Sequence, residues 1–288
     1  MMAVLILRSG AIGDVILTLP LAAACRERYG AVTLVIPGRM HGVARLCGFD
    51  HCLDIDTGGW HTLHATRPGP LPPALAGQVQ ALNLLEGPDG TVHANLTAAG
   101  IPVRSLAPPR NPVGMHAARY LLGVLGPPLS ELPPVQIDPL RLPPLPRTAV
   151  AIFTHGRPVI TIHPGTGSRR KLIGMEAWRA FVAHHCDRSR FIFLTGPADE
   201  DLAAAVGGLA GETGSVHLHA PALEEAAAVI HTSAAYIGLD SGITHLAGLT
   251  RTAVYAVFHA TDPDTWRPPG PRVTVLTPAD LAAIRIVD

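Results

Sequence analysis

The sequence predicts an α/β protein built as two Rossmann-like domains with parallel sheets facing a central cleft. Three observations predict it. Short apolar runs alternate with amphipathic ones in both halves, a proline-dense stretch divides those halves, and small-residue breaks follow several of the apolar runs. Ligands of open α/β sheets bind at such breaks, outside the carboxyl ends of the strands. The 288 residues suffice for two ordinary domains, and 48% of them are hydrophobic, which supports a sizeable core.

In the first half, Val4–Leu7 reads as a strand and Val15–Tyr29 as a helix, with Ile16, Leu19 and Ala23 at helical spacing and Gly30 as its stop. Strands follow at Val32–Ile36 and Cys52–Ile55, with a short helix at His41–Cys47 between them. A strand at Val79–Leu84 and a helix at Thr91–Ala99 repeat the rhythm, and Arg110–Leu125 reads as the last helix of the domain. Residues 127–146, "PPLSELPPVQIDPLRLPPLP", carry too much proline for a helix or a central strand and read as an extended linker. The domains are set at 1–135 and 136–288.

The second half restarts the alternation. Strands are expected at Val159–His163, Phe191–Leu194, Val216–Leu218, Ala235–Gly238 and Thr252–Phe258. Helices are expected at Glu176–His185, Asp199–Leu209 and Ala222–His231, and another from Ile243.

Composition excludes several classes. Formal net charge is zero and charged residues are only 15%, so no global basic field points to nucleic acid. The four cysteines form no CxxC, and the segment at Met1 lacks a basic n-region, so a reduced cytoplasmic protein without a signal peptide is expected. No apolar run approaches the ~20 residues of a membrane span. His61-x-x-His64 and His217-x-His219 match neither HExxH nor a zinc finger, and neither a metal nor another cofactor is expected.

Three breaks carry chemistry. Gly10-Ala11-Ile12-Gly13-Asp14 lacks the glycine spacing of a dinucleotide fingerprint. Asp14 reads as a helix N-cap, as a carboxylate held ionised to accept a proton, or as both. His163-Pro164-Gly165-Thr166-Gly167-Ser168-Arg169-Arg170-Lys171 offers exposed amides and three cations, which suits a diphosphate, against the alternative of a plain polar loop. Asp240-Ser241-Gly242-Ile243-Thr244-His245 opens a helix after a strand, where Ser241 is either a simple cap or a phosphate ligand and His245 falls in the first turn. Thr261-Asp262-Pro263-Asp264-Thr265-Trp266 either frames the same cleft or is a surface turn.

These pieces, in this order, resemble glycosyltransferase family 9, the bacterial heptosyltransferases of lipopolysaccharide core assembly. Four stretches carry the resemblance: "ILRSGAIGDVILTLPLAAACRERYG", "ITIHPGTGSRRKLIGMEAW", "FLTGPADE" and "YIGLDSGITHLAGLTRTAVYAVFHATDPDTW". The last is the most specific, and "LNLLEGPDGTVHANLTAAGIP" extends a weaker likeness. The resemblance implies a GT-B fold and an inverting, metal-independent transfer. The sugar-nucleotide donor would be ADP-linked, typically ADP-heptose, and the acceptor a cell-envelope glycolipid or glycan. Peripheral contact with the cytoplasmic face of the inner membrane follows from such an acceptor. It also implies Asp14 as the catalytic residue, Lys171 on the donor side, and Asp240, Ser241, Gly242 and His245 in the phosphate-binding segment. Gly13, Thr166 and Glu200 lie in the matching stretches and complete the expected substrate-binding set. Two rival readings are a sugar-nucleotide epimerase on the same fold and a non-catalytic sugar-nucleotide-binding protein.

Overall fold

A computed structural model of the protein describes residues 3–66, 70–75, 80–110, 114–126, 131–154 and 156–286. The chain divides into two compact units, Met1–Val135 and Gln136–Asp288.

The first unit is a parallel five-stranded sheet in the order β3-β2-β1-β4-β5. Its strands are β1 (Ala3–Leu7), β2 (Ala31–Ile36), β3 (Cys52–Asp54), β4 (Gln80–Asn83) and β5 (Val103–Ser105). Its helices are α1 (Ile12–Ile16), α2 (Leu19–Tyr29), α3 (His41–Leu46), α4 (Thr91–Ala98) and α5 (Ala117–Leu122). Val4, Leu5, Ile6 and Leu7 are all fully buried. A continuous apolar run of this kind belongs to a strand covered on both faces. Leu5, Leu7, Val35 and Ala81 from the sheet pack with Trp60, Leu63, Val92 and Leu96 in one core cluster. Each large side chain buried there contributes roughly 1.5–3 kcal/mol.

The second unit is a parallel six-stranded sheet in the order β11-β10-β9-β6-β7-β8. Its strands are β6 (Val159–His163), β7 (Arg190–Thr195), β8 (Val216–His219), β9 (Ala235–Leu239), β10 (Ala253–Val257) and β11 (Val273–Leu276). Its helices are α6 (Arg147–Phe153), α7 (Met175–His185), α8 (Glu200–Glu212), α9 (Leu223–Thr232), α10 (Gly242–Gly248), α11 (Pro263–Trp266) and α12 (Pro278–Leu281). Trp178 and Phe181 of α7 close over Phe191, Phe193, Ile160 and Ile162 in its core. Ile137 is tied to this unit, its N–H donating to the Leu249 carbonyl at 2.8 Å, and its side chain is buried.

Several boundaries differ from the sequence reading. The single helix expected over Val15–Tyr29 is two, and the first begins three residues earlier, at Ile12. Pro20 explains the break. It has no N–H to give the Ile16 carbonyl four residues back, and its ring crowds that carbonyl, so the chain turns and restarts with Pro20 in the first turn of α2. Among the described residues of the helix expected over Arg110–Leu125, only Ala117–Leu122 is α-helical, followed by a 3₁₀ turn. His116, in extended conformation, fixes that start: its Nδ1 accepts the Ala118 N–H at 3.2 Å. Residues 111–113 of that expectation, Val79 of the expected strand and residues 127–130 of the linker lie outside the described residues. From 131 to 138 the linker has no regular element, and Pro139–Arg141 forms one 3₁₀ turn. The sequence reading had no place for β5, α6, β11 or α12, and the Thr261–Trp266 turn contains the four-residue α11.

The four cysteines are free thiols. Cys25 and Cys47 are buried, Cys52 is half-buried and Cys186 is exposed. Among the described residues no helix is long and apolar enough to cross a membrane.

Candidate functional site

Strand order reverses at one point in each sheet, and the chemistry-bearing loops leave the strands beside those points. In the first unit the reversal falls between β1 and β4. The loop after β1 holds Gly13 and Asp14 in α1. Asp14 is the third residue of that helix, not its N-cap, and its Oδ2 accepts the Ala11 N–H at 2.9 Å. Its Oδ1 meets Arg8 Nη2, also at 2.9 Å. The Arg8 side chain is 3% exposed and that of Asp14 36%. Arg8 Nη1 also donates to the Leu84 carbonyl at 3.3 Å, which ties the end of β1 to the end of β4. Burial pulls the Arg8 guanidinium below its ordinary value, and the charge and hydrogen bond of Asp14 work to keep it protonated. Gly10 lies at φ +115°, and a Cβ there would stand 2.7 Å from Asp14 Oδ2. Only glycine allows the loop to close around the carboxylate. Arg39, from the segment after β2, donates to the Gly10 carbonyl at 2.7 Å.

In the second unit the reversal falls between β6 and β9, with His163 level with Gly238. The two loops singled out in the sequence therefore leave neighbouring parallel strands. Lys171 Nζ lies 2.6 Å from Asp240 Oδ2. Thr261 donates its hydroxyl to the same oxygen at 2.5 Å, which brings in the turn after β10. The Thr166 hydroxyl donates to the Asp240 backbone carbonyl at 2.8 Å. His259 Nε2 donates to the Lys171 carbonyl at 2.9 Å. Asp240 thus anchors an ammonium. Its side chain is 7% exposed against 27% for Lys171, so the cation is the partner that faces outward.

Behind that pair lies a buried hydrogen-bonded chain. Asp199 Oδ2 meets His163 Nε2 at 3.2 Å, and His163 Nδ1 meets Ser241 Oγ at 3.2 Å. Ser241 caps α10, accepting the Thr244 N–H at 3.3 Å. Gly242 is the first residue of that helix, and His245 is buried within it. Burial would push the Asp199 carboxyl up, but the hydrogen bond and charge of His163, with the Gly196 and Thr166 amides, hold it below the ordinary carboxylate range. Glu200 belongs to a second group: it pairs with His219 Nε2 at 3.3 Å, whose Nδ1 meets the Thr195 hydroxyl at 3.0 Å.

The geometry thus joins Thr166, Lys171, Asp240 and Ser241 at one sheet edge, with Gly242 and His245 on the helix that follows. Sequence reasoning did not single out Arg8, Asp199, His259 or Thr261 as partners. Arg8 carried a signal, being the one cation between β1 and the Gly10–Gly13 break. Among the described residues no group of three or more His, Cys, Asp or Glu side chains is arranged to hold a metal ion.

Residues 141–283 match the family model of glycosyltransferase family 9 (heptosyltransferase). None of the curated proteins matches the chain. Many solved structures share its fold, among them three that follow. A family 9 glycosyl transferase from Veillonella parvula superposes with a TM-score of 0.75 at 17% identity, over 97% of this chain and 86% of the other. The E. coli ADP-heptose lps heptosyltransferase II gives 0.69 at 16%, over 99% and 95%. The E. coli heptosyltransferase WaaC with ADP gives 0.68 at 19%, over 96% and 93%. At such identities the likeness is one of fold, and that fold is GT-B, α/β with two parallel sheets. Residues 141–283 are thus a glycosyltransferase family 9 domain carried on this fold, and the chain is a glycosyltransferase of the heptosyltransferase-like kind.

Proposed function

We propose that the protein transfers a heptose from ADP-heptose to a cell-envelope glycan or glycolipid, with inversion at the anomeric carbon and without a metal. The observation that carries this reading is the Lys171–Asp240–Thr261 cluster, an anchored ammonium at the strand-order reversal of the unit that the family model matches. The solved neighbours named for ADP-heptose and ADP support the donor.

In the reaction an acceptor hydroxyl oxygen attacks the anomeric carbon as the bond from that carbon to the β-phosphate oxygen breaks. The hydroxyl proton passes to Asp14 and ADP leaves. Arg8 and the Ala11 amide each take one lone pair of the Asp14 carboxylate and leave another on each oxygen, so it stays oriented and can still accept the proton. Lys171 meets the negative charge that grows on the leaving diphosphate, the task that a divalent cation performs in metal-dependent transfer. Gly13, Thr166, Ser241, Gly242 and His245 shape the two substrate regions, and Glu200 with His219 offers polar groups for the nucleoside. Work at the inner face of the cytoplasmic membrane, as a peripheral and not a spanning protein, fits a lipid-linked acceptor.

The test is ADP release and product mass with purified protein, ADP-heptose and a heptose-accepting glycolipid, beside calorimetry with ADP-, GDP-, UDP- and dTDP-sugars. Tight binding confined to another nucleotide would overturn the donor. A new sugar nucleotide formed from donor alone would assign the protein to epimerisation instead.

A further inference from the structure

A basic depression lies on the second unit, away from the loops that hold Lys171 and Asp240. β6 and β7 are parallel neighbours, and the Arg190 N–H donates to the Pro158 carbonyl at 2.9 Å, so both strands start at one edge of the sheet. α7 joins them and runs back against their direction. Its last residues, His184 and His185, and the turn residues Asp187 and Arg188 therefore lie at that starting edge, opposite the carboxyl edge of the donor loops. There the surface has a depression of about 230 Å³, lined by His184, His185, Asp187, Arg188 and Arg285. Ile284 and Ile286 pack on the core of the unit and leave Arg285 exposed between them. His185 is a fixed wall: it is 7% exposed, its Nδ1–H donates to the Phe181 carbonyl at 2.9 Å, and its ring lies 4.4 Å from that of Phe181. His184 meets it edge-on, with centroids 4.9 Å apart. Arg157 donates to the Cys186 carbonyl at 3.3 Å and brings a third guanidinium to the same turn. Three guanidiniums thus gather around one carboxylate, on a chain whose formal net charge is zero.

We propose that this depression is a binding site for a small sugar phosphate, separate from the donor site. Elsewhere on this unit Arg169 pairs with Asp201 and Arg179 with Glu212. Among the described residues the side chains of Arg188, Arg285 and Asp187 make no hydrogen bond or ion pair, although they line one depression. Both charges are therefore available to a ligand. A guanidinium presents a rigid fork of N–H donors that matches the oxygens of a phosphate, and two of them suit its two negative charges. Asp187 is acceptor-only when ionised. It disfavours a bare anion but takes the hydrogens of sugar hydroxyls, which an arginine cannot do. Size points the same way. Pockets for drug-sized molecules run to roughly 300–1,000 Å³. The smaller volume here suits a single phosphorylated sugar rather than a whole sugar nucleotide. None of these residues touches the Lys171–Asp240 cluster, so the proposal stands apart from the donor reading.

The experiment uses the full chain, with glucose 6-phosphate, inorganic phosphate and glucose as probes, titrated by calorimetry with and without excess ADP. The expected result is saturable binding of glucose 6-phosphate at millimolar concentration or below, weaker binding of inorganic phosphate, none of glucose, and no displacement by ADP. Arg188→Gln and Arg285→Gln should each weaken glucose 6-phosphate by roughly tenfold, the scale of one charge-assisted contact. Both side chains are exposed and unpaired, so their urea midpoints should stay native. Lys171→Ala should leave this affinity unchanged. In Asp187→Ala the ratio of glucose 6-phosphate to inorganic phosphate affinity should fall, because a hydroxyl acceptor is lost to the first and only a repelling charge to the second. Absence of saturable glucose 6-phosphate binding would overturn the site. Binding that ADP displaces, or that Lys171→Ala abolishes and the arginine variants keep, would assign the sugar phosphate to the donor loops and overturn it equally. Inorganic phosphate bound as tightly as glucose 6-phosphate would refute the hydroxyl contact to Asp187 and with it the ligand class.

Discussion

Asp14 and Lys171 each sit against an opposite charge, and that decides what their replacement does. Asp14→Asn is expected to lower turnover by about 100-fold, the scale of a lost general base, with ADP affinity unchanged. It also leaves Arg8 buried beside a neutral amide, so the midpoint of urea unfolding should fall as well. Turnover within a few fold of native would reduce Asp14 to a structural partner of Arg8. Lys171→Ala removes a charge-assisted contact to diphosphate worth about 1.5–3 kcal/mol and leaves Asp240 facing the phosphate uncompensated. ADP affinity by calorimetry should drop at least tenfold, and adding Asp240→Asn should restore part of it. Affinity equal to native in Lys171→Ala would place the lysine outside the donor site.

At the scale of elements, the turn after β6 passes so close to the turn after β7 that a side chain does not fit between them. A Cβ on Gly165 would stand 2.0 Å from Asp199 Oδ1, and that carboxylate is itself fixed by His163 and the Gly196 amide. Gly165→Ala should therefore cost about 2 kcal/mol in thermal or urea unfolding. In the Asp199→Ala background the same change should cost much less, a non-additivity that a double-mutant cycle reads directly. Equal costs in both backgrounds would mean that the two turns do not press on each other. This contact also shows where the sequence stops being legible. The strand–helix alternation and the loops holding Asp14, Lys171 and Asp240 could be read from local spacing, because apolar runs and small-residue breaks are local signals. Asp199 and His163 are 36 positions apart, and Lys171 and Asp240 farther still, so their pairing becomes visible only when β6, β7 and β9 lie side by side. The break in the first long helix was locally encoded by Pro20, but the apolar spacing runs through it unbroken. β5 and β11 are three and four residues long, too short to show a period.

For the whole molecule, Asp199 ties stability to pH. Its folded carboxyl lies below the ordinary carboxylate range, so its contribution is fully present above that range and is lost as pH falls through the depressed value. The urea-midpoint gap between native protein and Asp199→Asn should be constant from neutral pH down to about pH 5 and close in stronger acid. A gap that widens on acidification would contradict the sign. The metal-free reading gives a second global expectation: ADP release should survive excess EDTA, and loss of activity restored by Mg²⁺ would refute it. The cysteines carry a different kind of consequence. Burial pushes the thiols of Cys25 and Cys47 up to about 12 and that of Cys52 to about 11, so at neutral pH they are both shielded and poorly nucleophilic. Cys186, exposed at the end of α7, is left as the addressable sulfur. The native chain can thus take a single maleimide dye on its second unit without any cysteine being replaced. One added surface cysteine on the first unit would complete a fluorescence ruler for watching the two units during turnover.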